Sequence, residues 1–338
     1  PLAPIAEIPA DSSAQDIPPT TGTITFTDQD LGDDISFSVT GNATATYNGG
    51  AVPIDPAVDI SQLIDAAAIS FADGGLLSNG DQQTIDWTFQ PQTSDLDWLK
   101  DGDTLELTWI AQVDDSFGPQ GAEQLTITIG GTNDLPTIDA STDPVPLAEV
   151  LGDSSAQDIP PTTGTITFTD QDLGDDISFS VTGDATAAYT QAGNAQADPN
   201  LPVSAAVVID QLIAANAISF ADAGLLSNGD TQTIDWTFNP QAADLDWLKD
   251  GDTLELTWTA QINDGHGIQG AEQLTITIGG TNDLPTIDAS TDPLQIAEIP
   301  DDSSAQDIAP TTGTIKFTDQ DLGDSITLSV TGDATAEY

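Results

Sequence analysis

The sequence repeats itself over long distances, and this repetition is what most constrains its fold. The segment from Asp11 to Gly41 recurs without a change from Asp153 to Gly183, and in altered form from Asp302 to Gly332. A unit of about 145 residues can bury its own core, whereas units of about 20 to 50 residues stack into solenoids. The sequence therefore predicts separate domains arranged as beads on a string.

The repeat boundaries divide the chain into three units. We expect repeat 1 at residues 1–138, repeat 2 at residues 139–287, and the N-terminal part of an incomplete repeat 3 at residues 288–338. Repeat 2 is longer than repeat 1 in one place, between Tyr189 and Leu212, and a tolerated insertion is typical of a surface loop. We expect the chain to be a segment of a longer array.

Each repeat carries short runs in which apolar and polar residues alternate. Clear examples in repeat 1 are Thr23–Thr27, Ile85–Phe89, Thr104–Val113 and Gln124–Ile129. A period of two with β-branched and aromatic residues predicts half-buried strands, and Gly, Pro and Asp separate these strands. The predicted fold is all-β, a tandem array of antiparallel β-sandwich domains of the immunoglobulin or cadherin type.

Three tryptophans of repeat 1 recur in repeat 2. Trp87 and Trp109 alternate with other apolar residues, which favours core packing over an aromatic platform for sugars. Trp98 lies outside such a pattern, and both roles stay open for it.

The charge balance excludes several partners. The chain has 56 Asp and Glu against 3 Lys and Arg, a formal net charge of -53. Nucleic acids and anionic membranes attract Lys and Arg and would repel such a surface. Cysteine is absent, and no apolar stretch of about 18 residues could insert into a membrane. We expect a secreted, extracellular segment.

The sequence offers little for catalysis. The single histidine, His266, is replaced by Phe117 at the same place in repeat 1. A general base is not expected to be exchangeable for phenylalanine. We predict that the chain is not an enzyme, and that His266 is an exposed loop residue rather than a catalytic or metal-binding one.

Carboxylates crowd into one turn of each repeat. In repeat 1 the segment Thr27–Asp34 contains Asp28, Asp30, Asp33 and Asp34. At about 4 Å and an effective dielectric constant of 20, each like-charge pair costs about 4 kcal/mol before screening. Calcium, which takes six to eight oxygen ligands, would reverse this cost. Solvated turn residues, or acidity of the halophile type, would give the same composition.

Several motifs resemble known repeat families. Phe26–Gly41, Leu99–Trp109 and Leu125–Ile138 resemble the VCBS repeat of large bacterial surface adhesins of the RTX type, with the closing Gly-Thr-Asn-Asp-x-Pro as the clearest match. The resemblance is poor between about Thr44 and Asp81. It implies a structural repeat of a bacterial surface protein.

A more distant resemblance to cadherin repeats implies where metal would bind. Cadherin repeats have a glutamate, then a Gly-Thr strand and an Asp-x-Asp, an order that Glu149, Gly164 and Asp170–Asp172 follow. Leu96–Leu99 resembles the cadherin Leu-Asp-x-Glu without its glutamate. Gly131–Leu135 keeps only the central Asn-Asp of the cadherin linker.

The resemblance and the acidic turns together imply Ca²⁺ at the junctions between repeats, with one or two ions at each. We expect ions shared between Asn133 and Asp134 on one side and Glu149, Asp170 and Asp172 on the other. The full set of expected metal ligands is Glu7, Asp28, Asp30, Asp33, Asp97, Asp115, Asn133, Asp134, Glu149, Asp170, Asp172, Asp175, Asp246, Asp264, Asn282, Asp283, Glu298, Asp319 and Asp321.

Two functions remain open at this stage. The first is a structural extender of a secreted adhesin or surface fibre, rigidified by calcium, whose partners are neighbouring repeats of the same chain. The second is a filament in which the repeats bind each other or surface glycans through divalent ions. The segments that differ most between repeats, Asn48–Ile60 and Thr190–Ile209, could encode such binding or could be drifting surface loops.

Overall fold

The predicted strands form, and they pair into β-sandwiches. The computed structural model describes residues 3–9, 17–53, 58–91, 95–152, 159–193, 209–240, 243–298, 300 and 308–337. Within these ranges nearly all regular structure is β-strand, so the all-β prediction is confirmed. Of the two variable segments, residues 54–57 and 194–208 lie outside the described part of the chain.

Repeat 1 is built from short strands joined by turns. They are β1 (Ile5–Ala6), β2 (Thr20–Thr27), β3 (Leu31–Asp34), β4 (Ser36–Val39), β5 (Thr44–Tyr47), β6 (Ile69–Phe71), β7 (Leu77–Asn79), β8 (Gln82–Phe89), β9 (Thr104–Asp114) and β10 (Pro119–Gly130), with a 3₁₀ turn at Ala66–Ala68 before β6.

These strands form two main sheets. The long strand β9 pairs antiparallel with β10 on one side and with β4 and β5 on the other. β1 extends this sheet by running parallel to β10. The other sheet has the order β2-β8-β6, and β3 pairs with β7.

Repeat 2 has the same architecture. Its elements are β11 (Thr137–Thr142), β12 (Leu147–Ala148), β13 (Thr162–Thr169), β14 (Leu173–Asp176), β15 (Ser178–Val181), β16 (Thr186–Thr190), α1 (Asp210–Ile213), β17 (Ile218–Phe220), β18 (Leu226–Asn228), β19 (Thr231–Phe238), β20 (Thr253–Asn263) and β21 (Ile268–Gly279), with a 3₁₀ turn at Ala215–Ala217.

One sheet of repeat 2 has the order β12-β21-β20-β15, with β16 also on β20, and the other has the order β11-β13-β19-β17. β11 pairs with β13, so the expected boundary between residues 138 and 139 falls inside a strand of repeat 2. In repeat 3 the strands β22 (Thr286–Thr291) and β23 (Thr314–Thr318) pair in the same manner.

Each sandwich encloses its own core. In repeat 1 the side chains of Trp87 and Trp109 are 4% and 1% exposed, and the Phe89 and Trp109 rings lie 5.5 Å apart. Fully burying a side chain such as that of Phe89 contributes about 1.5–3 kcal/mol. Core packing of these two tryptophans, predicted from the alternation, is confirmed.

Trp98 is also a core residue. Its side chain is 2% exposed, and its ring lies 5.9 Å from that of Tyr47. Trp247 and Tyr189 repeat the arrangement at the same distance of 5.9 Å. The role that the sequence left open for Trp98 is therefore packing, because a buried ring offers no platform to a sugar.

Among the described residues, the helical segments have neither the length nor the hydrophobicity of a membrane-spanning helix.

Candidate metal centre at the junctions between repeats

The Asp-x-Asp turn of repeat 2 lies between β13 and β14, where the chain turns at the end of the sandwich. The backbone N–H of Asp172 donates to Asp170 Oδ1 at 3.1 Å, a local turn in which the first carboxylate holds the second residue in place. Asp170 is 1% exposed and Asp172 is fully buried. Two carboxylates are thus held at this end of the sandwich, which faces repeat 1. We call the end of a repeat that carries the Asp-x-Asp turn its pole.

The linker from repeat 1 folds onto this turn. Asp134 donates its backbone N–H to Asp172 Oδ2 at 2.8 Å. Asn133 Nδ2 donates to Asp264 Oδ2 at 3.0 Å and to the Asp134 carbonyl at 3.1 Å. The linker residues of repeat 1 and the acidic turn of repeat 2 therefore form one cluster.

Repeat 1 adds two further carboxylates. Because β1 runs parallel to β10, Glu7 reaches the end of β10, where its Oε1 accepts hydrogen bonds from the backbone N–H of Thr132 at 2.7 Å and from the Thr132 hydroxyl. Asp97 Oδ2 accepts a hydrogen bond from Gln171 Nε2 across the junction. Glu7 and Asp97 are 3% and 2% exposed.

The cluster holds far more negative than positive charge. Lys100 of repeat 1 lies with its Nζ 3.1 Å from Asp175 Oδ1 and donates to the Gly174 carbonyl at 2.7 Å. An uncompensated buried charge costs several kcal/mol, so this arrangement calls for further cations or bound protons. The carboxylates that are at most 5% exposed at this junction are Glu7, Asp97, Asp134, Asp170, Asp172, Asp175 and Asp264.

The pKa values of these carboxylates are shifted by burial and by the excess of negative charge. Burial, with a smaller contribution from neighbouring carboxylates, raises the pKa of Asp170 to about 7 and that of Asp172 to about 9, although each accepts a backbone hydrogen bond that works the other way. Burial also acts to raise the pKa of Asp264. Hydrogen bonds from Asn133, His266 and Gly267 outweigh it and hold this pKa below its usual value.

Several buried oxygens at the junction have no hydrogen-bond donor. Buried acceptors are normally satisfied, so a group of such atoms in one place is suited to binding a cation. Carboxylate and amide oxygens are the ligands that Ca²⁺ takes. The atoms are Asn133 Oδ1, Asp170 Oδ2, Asp172 Oδ1 and Asp175 Oδ2.

The junction between repeats 2 and 3 repeats this geometry. Asp283 donates its N–H to Asp321 Oδ2 at 2.8 Å, and Thr281 donates its N–H to Glu149 Oε1 at 2.7 Å. Gln320 Nε2 donates to Asp246 Oδ2. Burial raises the pKa of Asp321 to about 6. The expected ligands Asn282 and Asp319 belong to the same cluster, since Asn282 is the linker amide and Asp319 accepts the Asp321 N–H at 3.2 Å.

The expected grouping of Glu149 with Asn133 and Asp134 is wrong. Glu149 follows β12, which runs parallel to β21, so its carboxylate lies at the end of repeat 2 that faces repeat 3. Glu7 occupies the corresponding place at the first junction. Glu298, the expected counterpart in repeat 3, is exposed.

The pole of repeat 1 carries the equivalent residues, but their side chains are more exposed. Asp28, Asp33 and Asp115 lie close enough together for one ion, but all three are half-buried, and Asp30 is exposed. Burial and neighbouring carboxylates raise the pKa of Asp33. This pole is the counterpart of the one that repeat 2 places against repeat 1.

Two positions at which the cadherin resemblance led us to expect carboxylates carry Leu99 and Gly131. Leu99 is fully buried in the core of repeat 1. A Cβ added to Gly131 would lie 1.8 Å from the Leu99 carbonyl oxygen, so no side chain fits there. The backbone at Gly131 therefore packs directly on the backbone of Leu99 and Lys100.

Sequence reasoning missed the contacts that join the repeats without metal. Leu173 donates its backbone N–H to the Trp98 carbonyl at 3.1 Å, and its side chain packs against the core of repeat 1. Leu322 and Trp247 repeat the hydrogen bond at 3.1 Å. No local sequence pattern signals these contacts, although Lys100 and Lys249, two of the 3 basic residues, stand at the same position of repeats 1 and 2.

His266 lies in the loop between β20 and β21, and this loop lies at the junction between repeats 1 and 2. Its Nε2 is 3.8 Å from Asp101 Oδ2 of repeat 1, and its backbone N–H donates to Asp264 Oδ1 at 2.7 Å. Its side chain is 43% exposed, so the expectation of a solvent-exposed loop residue is confirmed.

No family model and no curated protein matches the chain, so the resemblance to VCBS repeats is not confirmed. Among solved structures, human CDH23 EC21-23 is 13% identical with a TM-score of 0.36, covering 96% of this chain and 84% of that one. The human Desmocollin-1 ectodomain is 14% identical with a TM-score of 0.31, covering 96% and 46%.

A third similar structure is CfaE, the adhesive subunit of the CFA/I fimbria of enterotoxigenic Escherichia coli. It is 10% identical with a TM-score of 0.30, covering 84% of this chain and 99% of that one. All three TM-scores are low, whereas the strand pairing by itself shows the all-β fold.

Proposed function

We propose that these repeats are structural extenders of a secreted bacterial adhesin or surface fibre, and that calcium bound at each junction rigidifies them. The observation that carries the proposal is the set of buried oxygens without donors at the interface of two repeats, among them Asn133 Oδ1 and Asp172 Oδ1. A shared ion would tie the linker of one repeat to the acidic turn of the next.

The ligand set suits Ca²⁺. Asn133 from the linker and Asp170, Asp172 and Asp264 from repeat 2 supply oxygens only, and Asp134 and Glu7 add carboxylates from repeat 1. Ca²⁺ takes six to eight oxygens at about 2.3–2.6 Å and accepts irregular geometry. With Leu99 and Gly131 in place of two carboxylates, we propose one or two ions per junction.

Rigidity then depends on the medium. Extracellular calcium modules bind Ca²⁺ with Kd values of about 10⁻⁴ to 10⁻³ M. Calcium would therefore occupy the junctions outside the cell, and the junctions would stay flexible where calcium is scarce. With a Debye length of about 8 Å at physiological ionic strength, rods of net charge -53 repel each other unless divalent ions bridge them. An isolated extender is the state that this charge favours.

The glycan-binding alternative has less support. All six tryptophans are at most 4% exposed, so they form no aromatic platform; they are Trp87, Trp98, Trp109, Trp236, Trp247 and Trp258.

The test is to measure the radius of gyration and the melting temperature of the 338-residue chain in calcium and in chelator. We expect calcium to extend the chain, to narrow its size distribution and to raise the melting temperature. A variant with both Asp172→Asn and Asp321→Asn should lose most of this response. An unchanged radius together with an unchanged melting temperature in the wild-type chain would refute the proposal.

A further inference from the structure

One group at the first junction has a chemistry that calcium does not use. His266 lies in the loop between β20 and β21, and one ligand atom each from His266, Asp175 and Asp264 lie within 4.8 Å of one another. The chain has 1 histidine. An imidazole and two carboxylates therefore converge at the junction between repeats 1 and 2.

The two carboxylates are held in place before any ion binds. Asp264 is 3% exposed, and its Oδ1 accepts the backbone N–H groups of His266 at 2.7 Å and Gly267 at 3.0 Å. These bonds fix the loop that carries the imidazole. Asp175 is 4% exposed, and its backbone N–H donates a hydrogen bond to Ser227 Oγ at 2.7 Å.

Asp175 supplies the second observation that points to a ligand. Its Oδ1 meets Lys100 Nζ at 3.1 Å, whereas its Oδ2 is buried with no donor. A buried carboxylate oxygen without a donor is costly, since its desolvation is not repaid. Within the described residues Lys100 is the lysine paired with Asp175, and a metal ion beside His266 would supply positive charge to the other oxygen of this carboxylate.

The donor set selects the class of metal. Ca²⁺ and Mg²⁺ take oxygen ligands, whereas imidazole nitrogen together with carboxylate oxygen suits Zn²⁺ and similar borderline divalent ions. We propose that Asp175, Asp264 and His266 form a binding site for a Zn²⁺-class ion at the junction between repeats 1 and 2.

Repeat 1 contributes to the same site. Asp101 Oδ2 lies 3.8 Å from His266 Nε2, which places a carboxylate beside the imidazole, as carboxylate partners of metal-binding histidines commonly are. Binding would therefore fasten repeat 2 to repeat 1 at a second point. Repeat 1 itself has Phe117 at this position, 87% exposed, so its own pole lacks the nitrogen ligand.

The test follows the ring of His266 by nuclear magnetic resonance of the full chain, titrated with Zn²⁺ in excess calcium. With 1 histidine in the sequence, its ring signals need no assignment. We expect these signals to move with saturable Zn²⁺ binding, and Zn²⁺ affinity by calorimetry to fall at least roughly tenfold in His266→Phe. This variant carries the residue that repeat 1 has at the same position, so it should fold.

The variant Asp101→Asn, at a side chain that is 62% exposed, should weaken Zn²⁺ binding roughly tenfold without changing the melting temperature of the metal-free chain. Ring signals that do not move, or equal Zn²⁺ affinity of the wild type and His266→Phe, would overturn the proposal. Because the readout is the imidazole, it stays valid even if calcium fails to rigidify the chain.

Discussion

Lys100 of repeat 1 and Asp175 of repeat 2 form an ion pair across the junction, with 3.1 Å between Nζ and Oδ1. Lys249 and Asp324 form the same pair at the next junction at 3.5 Å. In a chain with 3 basic residues, two of them therefore join neighbouring repeats. This contact needs no metal, so the repeats have a weak connection on which calcium would act.

Removing that lysine should destabilise the junction most when calcium is absent. In chelator we expect Lys100→Met to cost about 1–2 kcal/mol, less than a fully buried pair because the lysine is partly exposed. The melting temperature of the affected repeats should fall by roughly 2–8 °C, measured by circular dichroism.

The matched control is Lys316→Met. Lys316 lies on β23 and is exposed, so its loss removes the same charge without touching a junction. An equal loss of stability in both variants would show that the lysines act only through net charge.

Neutralising one buried carboxylate should have opposite effects in the two media. Asp172 is fully buried among other carboxylates. Asp172→Asn should therefore raise the melting temperature in chelator, and it should reduce the increase in melting temperature that calcium produces. The exposed counterpart of repeat 1, changed as Asp30→Asn, should do neither. If Asp172→Asn is destabilising in chelator, the carboxylate is not under electrostatic strain.

The calcium-free chain should become less stable as pH rises. The pKa values of Asp170 and Asp172, about 7 and about 9, lie above the ordinary value of 3.8. The folded state therefore binds more protons than the unfolded state across this window, and stability falls from about pH 4 through about pH 9. Urea unfolding at several pH values measures the slope.

Calcium should remove or reverse this pH dependence, because bound metal keeps the carboxylates ionised and protons then compete with it. An unchanged slope in saturating calcium would mean that the ion does not bind at these residues.

The leucine that enters the preceding repeat should couple neighbouring domains. Leu173 packs against the core of repeat 1, so Leu173→Ala should cost about 1–2 kcal/mol of contact between repeats and make their unfolding less cooperative in calorimetry. Leu31 is its counterpart at the pole of repeat 1 and is 78% exposed. Leu31→Ala should therefore leave the unfolding curve unchanged.

The strands and the core were predictable because alternation directly reports which face is buried. Trp87 and Trp109 follow that rule. Trp98 was not decided, because it sits in a turn where no period of two applies, and its burial depends on packing against Tyr47.

The sequence motifs pointed to the residues of the candidate site, but they did not show which of these residues lie together at each junction. Glu149 is near Asp170 in sequence, yet the parallel pairing of β12 with β21 carries it to the opposite end of repeat 2. Contacts through Lys100 and His266 cross between domains, and no local pattern encodes them. Comparing the same position in two repeats, as with His266 and Phe117, shows a difference but not its surroundings.

The most direct measurement of the central claim is the distance distribution across the first junction. The chain contains no cysteine, so Ser38→Cys and Ser180→Cys, at equivalent exposed positions of repeats 1 and 2, would carry two spin labels and nothing else. Pulsed dipolar spectroscopy should give a broad distribution in chelator and a narrow one in calcium. Distributions of equal width in the two media would contradict calcium-dependent rigidity.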